Sequence, residues 1–146
     1  PVVANGMVYV GTTENHTLFA LSASNGRDQW TYTTGGLRYE TPSPSSVVDG
    51  TLYVGTDNNM VYALSASSGS EQWSYETGGE VSYPPVVANK TVYVGSDDGS
   101  VIALSPSDGS EQWVYDLGGG DTSSPVVADG RIYVSSGNSV YALSVE

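Results

Sequence analysis

Hydrophobic residues in this chain come in short runs, and each run is closed by a polar turn. Ser46-Val47-Val48 leads into Asp49-Gly50, Thr51–Gly55 into Thr56-Asp57-Asn58-Asn59, and Met60–Leu64 into Ser67-Ser68-Gly69. Glu71–Tyr75 then runs into Thr77-Gly78-Gly79. These lengths and turn residues predict four short antiparallel strands, with Asp49-Gly50 as a two-residue hairpin signal. Val8-Tyr9-Val10, Val92-Tyr93-Val94 and Ile132-Tyr133-Val134 are apolar at consecutive positions. A strand that does not alternate is covered on both faces. No stretch of eleven or more residues carries apolar positions at helical spacing, so no helix is expected.

The same pattern recurs. Ala20-Leu-Ser-Ala-Ser-Asn-Gly-Arg-Asp-Gln-Trp30 returns as residues 63–73 and 103–113, and Ala142-Leu-Ser-Val-Glu146 opens a fourth copy. Tyr9, Tyr53, Tyr93 and Tyr133 keep the beat at intervals of 44, 40 and 40 residues. A period near 40 marks one duplicated supersecondary unit. Four-stranded antiparallel units with two buried faces, stacked side by side, make a β-propeller. A sandwich would alternate without a strict period, and a β-helix would need shorter repeats. The predicted class is therefore all-β: a propeller segment over residues 1–146, with units 1–43, 44–84, 85–124 and 125–146, the last lacking its outer strand.

The repeated phrase Ala-x-Ser-x-x-x-Gly-x-x-x-Trp resembles the tryptophan-docking motif of the pyrroloquinoline-quinone-type repeat family. The lead-in Pro-Val-Val-Ala-(Asn/Asp)-Gly-x-(Val/Ile)-Tyr-Val at residues 1–10 and 125–134 is similar to the same family, as is Tyr93–Leu104. The resemblance implies that Trp30, Trp73 and Trp113 lie on the outer strands of their blades and dock against the neighbouring blade. It also implies that Ala20, Ala63 and Ala103 leave room for the rings and that Gly26, Gly69 and Gly109 make the turns. Ser22, Ser65 and Ser105 stand where the family usually has Asp, which weakens one turn-locking acceptor. Family members usually close rings of seven or eight blades. About four units are present here, so the chain reads as a piece of a longer protein or as one part of a ring completed by other chains.

The resemblance also brings in quinone-dependent dehydrogenases, which hold calcium with a Glu, an Asn and an Asp near the ring axis and use a second Asp as base. Many of them place a cysteine pair over the quinone. This chain has no cysteine, which removes thiol catalysis, disulfides and cysteine-ligated metals. Arg38, Tyr39, Glu40, Glu80 and Tyr83 fall in the connections that would line a central pocket, and they are the residues placed to touch a ligand there. Their simpler reading is ordinary rim residues. Asp97-Asp98-Gly99 and Asp57-Asn58-Asn59 lack the alternating spacing of a helix–loop–helix calcium site and read as β-turns. His16 is the sole histidine, is expected to be exposed, and cannot by itself form a catalytic pair or zinc site. No catalytic residue, metal ligand or cofactor-binding residue is assigned.

Charge narrows the partners. Sixteen acids against four bases give a net charge of −12, dispersed through turns and strand ends. Such a surface repels nucleic acid and anionic lipid, and no apolar run approaches the ~20 residues of a membrane span. Expected partners are other protein chains, including a second copy completing a propeller ring. The functional expectation is a non-catalytic binding scaffold of an exported or cell-surface protein, extracellular in setting. The alternatives are a fragment of a quinone-dependent dehydrogenase and an extracellular sensor domain. The sequons Asn15-His16-Thr17 and Asn89-Lys90-Thr91 lean toward export. An acidic surface with a single lysine, Lys90, also suits a salt-loving organism, where screening removes self-repulsion. The thermal midpoint is accordingly expected to rise between about 0.1 M and about 2 M potassium chloride. Equal midpoints in the two melts would remove the halophile reading.

Overall fold

A computed structural model describes residues 1–13, 15–35 and 42–144 of the chain. Its described residues form strands and turns, with no helix among them. The first sheet holds β1 (Val2–Ala4), β2 (Met7–Thr12), β3 (Thr17–Ser22) and β4 (Asp28–Thr33). The second holds β5 (Ser43–Val48), β6 (Thr51–Thr56), β7 (Met60–Ser65) and β8 (Glu71–Glu76). In the third are β9 (Val86–Ala88), β10 (Thr91–Ser96), β11 (Ser100–Leu104) and β12 (Glu111–Asp116). The fourth has three strands, β13 (Val126–Ala128), β14 (Arg131–Ser136) and β15 (Ser139–Ser144). Strand order within every sheet is sequence order, and each pairing is antiparallel. Each sheet is one blade, and the inner strands β1, β5, β9 and β13 touch in succession along an open arc.

Turn chemistry sets this local order. Asn5-Gly6, Asp49-Gly50, Asn89-Lys90 and Asp129-Gly130 join the first two strands of each blade, and all eight residues have positive φ. Two successive positive φ values define the type I′ hairpin, whose twist matches that of the flanking strands. Lys90 is the one residue of the eight that is neither Gly, Asn nor Asp, and it holds φ +61. The two-residue hairpin that pairs Ala88 with Thr91 sets this conformation at an exposed position.

The non-alternating strands acquire their meaning in the packing. In β6, Leu52 and Val54 face the first blade and pack with Tyr9, Leu18 and Ala20. Tyr53, between them, faces the third blade and packs with Val92, Val94, Ile102 and Leu104. A central strand thus spends consecutive residues on two different cores, which is why every residue of β6 and β10 is buried. Fully burying one such aliphatic side chain contributes about 1.5–3 kcal/mol. Between the third and fourth blades, Tyr93 and Val101 meet Ile132 and Val134.

Two expectations need correction. Strand β5 starts at Ser43 and not at Ser46, because Ser43 and Pro44 pair with Gly55 and Val54 before a bulge that skips to Val47. His16 is half-buried and not exposed. Its backbone adopts φ +49 to turn from β2 to β3, and its carbonyl accepts the Thr34 backbone N–H at 2.9 Å and the Thr34 hydroxyl at 3.1 Å.

Candidate functional site

The recurring structure of this chain is the joint between blades, and it is built from the repeated phrase. Trp30, Trp73 and Trp113 lie on β4, β8 and β12, the outermost strands. Each is paired across the ladder with an alanine: Ala20, Ala63 and Ala103. A register shift follows each alanine, and all three alanines are fully buried. Each indole leans on the tyrosine of its own second strand, with centroids 5.8 Å apart for Tyr9–Trp30 and Tyr53–Trp73 and 6.1 Å for Tyr93–Trp113. Tilted aromatic pairs at such distances add about 0.5–1.5 kcal/mol beyond area burial.

The other side of the ring meets the next blade. Trp30 Nε1 donates to the Ala66 carbonyl at 3.0 Å, and Trp73 Nε1 donates to the Pro106 carbonyl at 2.9 Å. The Tyr9 hydroxyl donates to the same Ala66 carbonyl at 3.0 Å. Gly69 and Gly109, both at φ +72, lie directly against these rings: a Cβ there would stand 2.5 Å from Trp30 and 2.6 Å from Trp73. These glycines therefore turn the chain and also form the floor under an indole. Gly26 has the same conformation, φ +70, yet a Cβ on it would meet nothing within 4 Å. The seat on the first blade is built and bare.

Serine takes over the role of the family's aspartate in the turns. Ser22, Ser65 and Ser105 pair with Ser24, Ser67 and Ser107 at 2.9, 3.1 and 2.9 Å, while their carbonyls accept the N–H of Gly26, Gly69 and Gly109. In the third copy Asp108 adds a carboxylate, which hydrogen bonds from Ser105 and Ser110 hold below the ordinary range.

A second link between blades escaped the sequence reading. The Tyr32 hydroxyl donates to Glu71, and that of Tyr75 donates to Glu111 at 2.6 Å, each bond running from one outer strand to the next. Glu71 and Glu111 read in the sequence as strand-end acids. The available signal was a tyrosine two residues after each tryptophan together with a glutamate two residues before the next one. Burial first, then the hydrogen bond to Glu111 and its charge, push the Tyr75 hydroxyl up to about 12. Tyr32 is raised in the same direction by burial and Glu71.

Arg38, Tyr39 and Glu40 lie outside the described residues, and Glu80 and Tyr83 are both exposed. Asp97 accepts the Ser82 hydroxyl at 2.6 Å through Oδ2, while its Oδ1 is buried without a partner. Asp98 locks its own turn through Ser100, and Asn58 reaches across to the Gly35 carbonyl of the first blade. Among the described residues no group of three or more His, Asp or Glu is placed to hold a metal. No described helix is long and apolar enough to cross a membrane.

Four-stranded antiparallel blades joined by tryptophan-bearing outer strands define a β-propeller of the pyrroloquinoline-quinone-like repeat class. The sequence model of the family described as outer membrane protein assembly factor BamB matches residues 1–79 and 37–146, and the chain belongs to that family. BamB from Moraxella catarrhalis superposes with a TM-score of 0.78 at 22% identity, over 98% of this chain and 45% of that one. This chain thus spans less than half the length of that protein. The computationally designed proteins Ika4 and Ika8 give TM-scores of 0.83 and 0.82, each at 14% identity. The matches cover 99% and 98% of this chain, and 89% of Ika4 against 44% of Ika8. At these identities the likeness is one of fold. A search of curated protein sequences returns no match.

Two measurements test the joint. Trp73→Ala is expected to lose about 3–5 kcal/mol of stability, the range for a large buried aromatic. Gly109→Ala should fall further than Gly26→Ala, because both carry the positive-φ penalty and only Gly109 has an indole in the way. Equal losses in urea melts of the two glycine variants would remove the indole from the account. The tyrosine link predicts a pH dependence. A hydroxyl held at about 12 in the fold and near 10.0 when unfolded contributes stability that is complete below pH 10 and is lost as pH rises toward 12. Tyr75→Phe is therefore expected to flatten the fall of the melting midpoint between about pH 9.5 and about pH 11.5. Parallel curves for parent and variant would refute it.

Proposed function

We propose that this chain is a non-catalytic propeller scaffold that works by binding other protein chains, in an exported or cell-surface setting, and that self-association into a ring is one use of its ends. The family supports the first part, since its description is that of an assembly factor and not of an enzyme. The observation that carries the reading is the state of the two end faces. Leu52, Val54 and Leu64 on the leading face of the second blade are fully buried, whereas their counterparts Val8, Val10 and Leu21 on the first blade are half-buried. Val3 at the same end is 69% exposed, and Val126 at the other end is 60% exposed. Apolar positions exposed together at both ends of a repeat array mark surfaces that a further unit covers.

The two ends are also complementary. The fourth blade presents Tyr133 in the register that Tyr9 holds, and the first presents Ala23 and Gly26 where the second has Ala66 and Gly69. A second copy placed head-to-tail would bring Tyr133 toward the Ala23 carbonyl, repeating the contact of Tyr9 with Ala66. Two such junctions complete a pseudo-eight-bladed ring. An arc matching nearly all of one designed protein and under half of another fits a ring of about twice its own length. Light scattering in high salt is expected to give twice the 15.2 kDa of the single chain. A mass of 15.2 kDa at every concentration would rule out ring closure by two copies.

A further inference from the structure

The cavities between neighbouring blades repeat as the blades do, and one of them departs from the pattern. A cavity of about 350 Å³ lies between the first and second blades, with Asn5, Tyr9, Gly50 and Ala66 in its lining. Another of about 340 Å³ lies between the second and third blades, with Asp49, Tyr53, Lys90 and Pro106 at the equivalent positions. Val48 and Val87 add apolar wall to it. Both adjoining sheets are complete four-stranded blades, so this cavity owes nothing to the ends of the arc.

Each departure changes what the cavity offers. The first cavity has no charged group in its lining, whereas the second has an acid and a base, both exposed. Asp49 is accounted for by its turn, since the first position of this hairpin is Asn or Asp in all four blades. Lys90 is not. The second position is Gly in the other three blades, and Lys90 holds φ +61 there with an exposed side chain. Backbone strain kept at a position where glycine would serve is a mark of functional sites. Tyr53 also differs from its counterpart. The Tyr9 hydroxyl and the Trp30 N–H share the Ala66 carbonyl, whereas the Pro106 carbonyl takes the Trp73 N–H and the Tyr53 hydroxyl lies beside Thr51 and Asp49. Tyr53 is 2% exposed, so its phenol is a fixed polar group in the cavity wall.

We infer that this cavity binds a free α-amino acid with an apolar side chain, its ammonium on Asp49, its carboxylate on Lys90 and its side chain against Val48, Val87 and Pro106. Charge complementarity selects the zwitterion. A lone anion would face Asp49 in a chain of net charge −12, and a lone cation would face Lys90. Apolar walls with a few placed polar groups are what a small-ligand site requires. The inference goes beyond the scaffold reading and stands apart from it, because neither the blade faces at the ends nor ring closure enters.

The test is calorimetric titration of the full chain with phenylalanine, which is expected to saturate with a Kd of about 1 mM or below. Two analogues separate its charges: hydrocinnamate lacks the ammonium and phenethylamine lacks the carboxylate. Each should bind about tenfold more weakly or worse, the equivalent of one lost charge-assisted hydrogen bond. Lys90→Gly installs the residue of the other three hairpins, so the variant should melt at or above the parent temperature and bind about tenfold more weakly. Asp49→Asn installs the residue that Asn5 supplies to the first hairpin and should likewise keep the fold while weakening phenylalanine. No saturation up to about 10 mM, an analogue bound as tightly as phenylalanine, or unchanged binding by Lys90→Gly would each overturn the inference. A Lys90→Gly variant less stable than the parent would give the lysine a structural role and overturn it as well.

Discussion

The architecture depends on one contact: an indole on the outer strand of a blade, laid on a left-handed glycine of the next blade, with its N–H on a backbone carbonyl. Trp30 over Gly69 and Trp73 over Gly109 are the two complete instances. The ring supplies a large apolar area to an otherwise serine-rich turn, and the N–H satisfies a carbonyl that packing would leave half-desolvated. Glycine is required because the turn needs positive φ and because the ring occupies the space of a Cβ. Tyr9 and Tyr53 complete the joint by holding the ring from behind. The first three blades are joined through this contact, while the third and fourth meet through Tyr93 and Val101 against Ile132 and Val134.

A protein built this way is close to one-dimensional, since each blade touches only its neighbours. Its interior blades are saturated and its end blades are not, and the difference shows at equivalent positions. Val61 and Val101 are sealed while Val140 stands out; Gly69 and Gly109 lie under indoles while Gly26 lies bare.

Membership of the BamB-described family covers the whole chain, whereas the structural neighbours share its fold at 14–22% identity. A propeller fold hosts both assembly factors and enzymes, so activity must be argued from a site. Four of the described acids serve turns and cross-blade bonds: Asp98 caps Ser100, Asp108 caps Ser110, and Glu71 and Glu111 take tyrosine hydroxyls. These are structural uses of carboxylates, each explained by its immediate neighbours.

The periodicity of the tyrosines, the recurring Gly-x-x-x-Trp phrase and the Asp-Gly and Asn-Gly turns were enough to determine an all-β chain of repeated four-stranded units. Those features act over a few residues: hairpin twist is set by two φ angles, and burial on both faces is written in consecutive apolar positions. Tertiary structure alone decided what each unit meets. Nothing local tells that the carbonyls of Ala66 and Pro106 receive indoles 36 and 33 residues away. Nor does a strand-end glutamate announce that Glu111 accepts the hydroxyl of Tyr75. Lys90 at φ +61 and the half-buried His16 were likewise beyond local reading. For the indoles and the Tyr75 hydroxyl the partner comes from a different blade, and its distance in the chain is bridged only once the sheets have stacked.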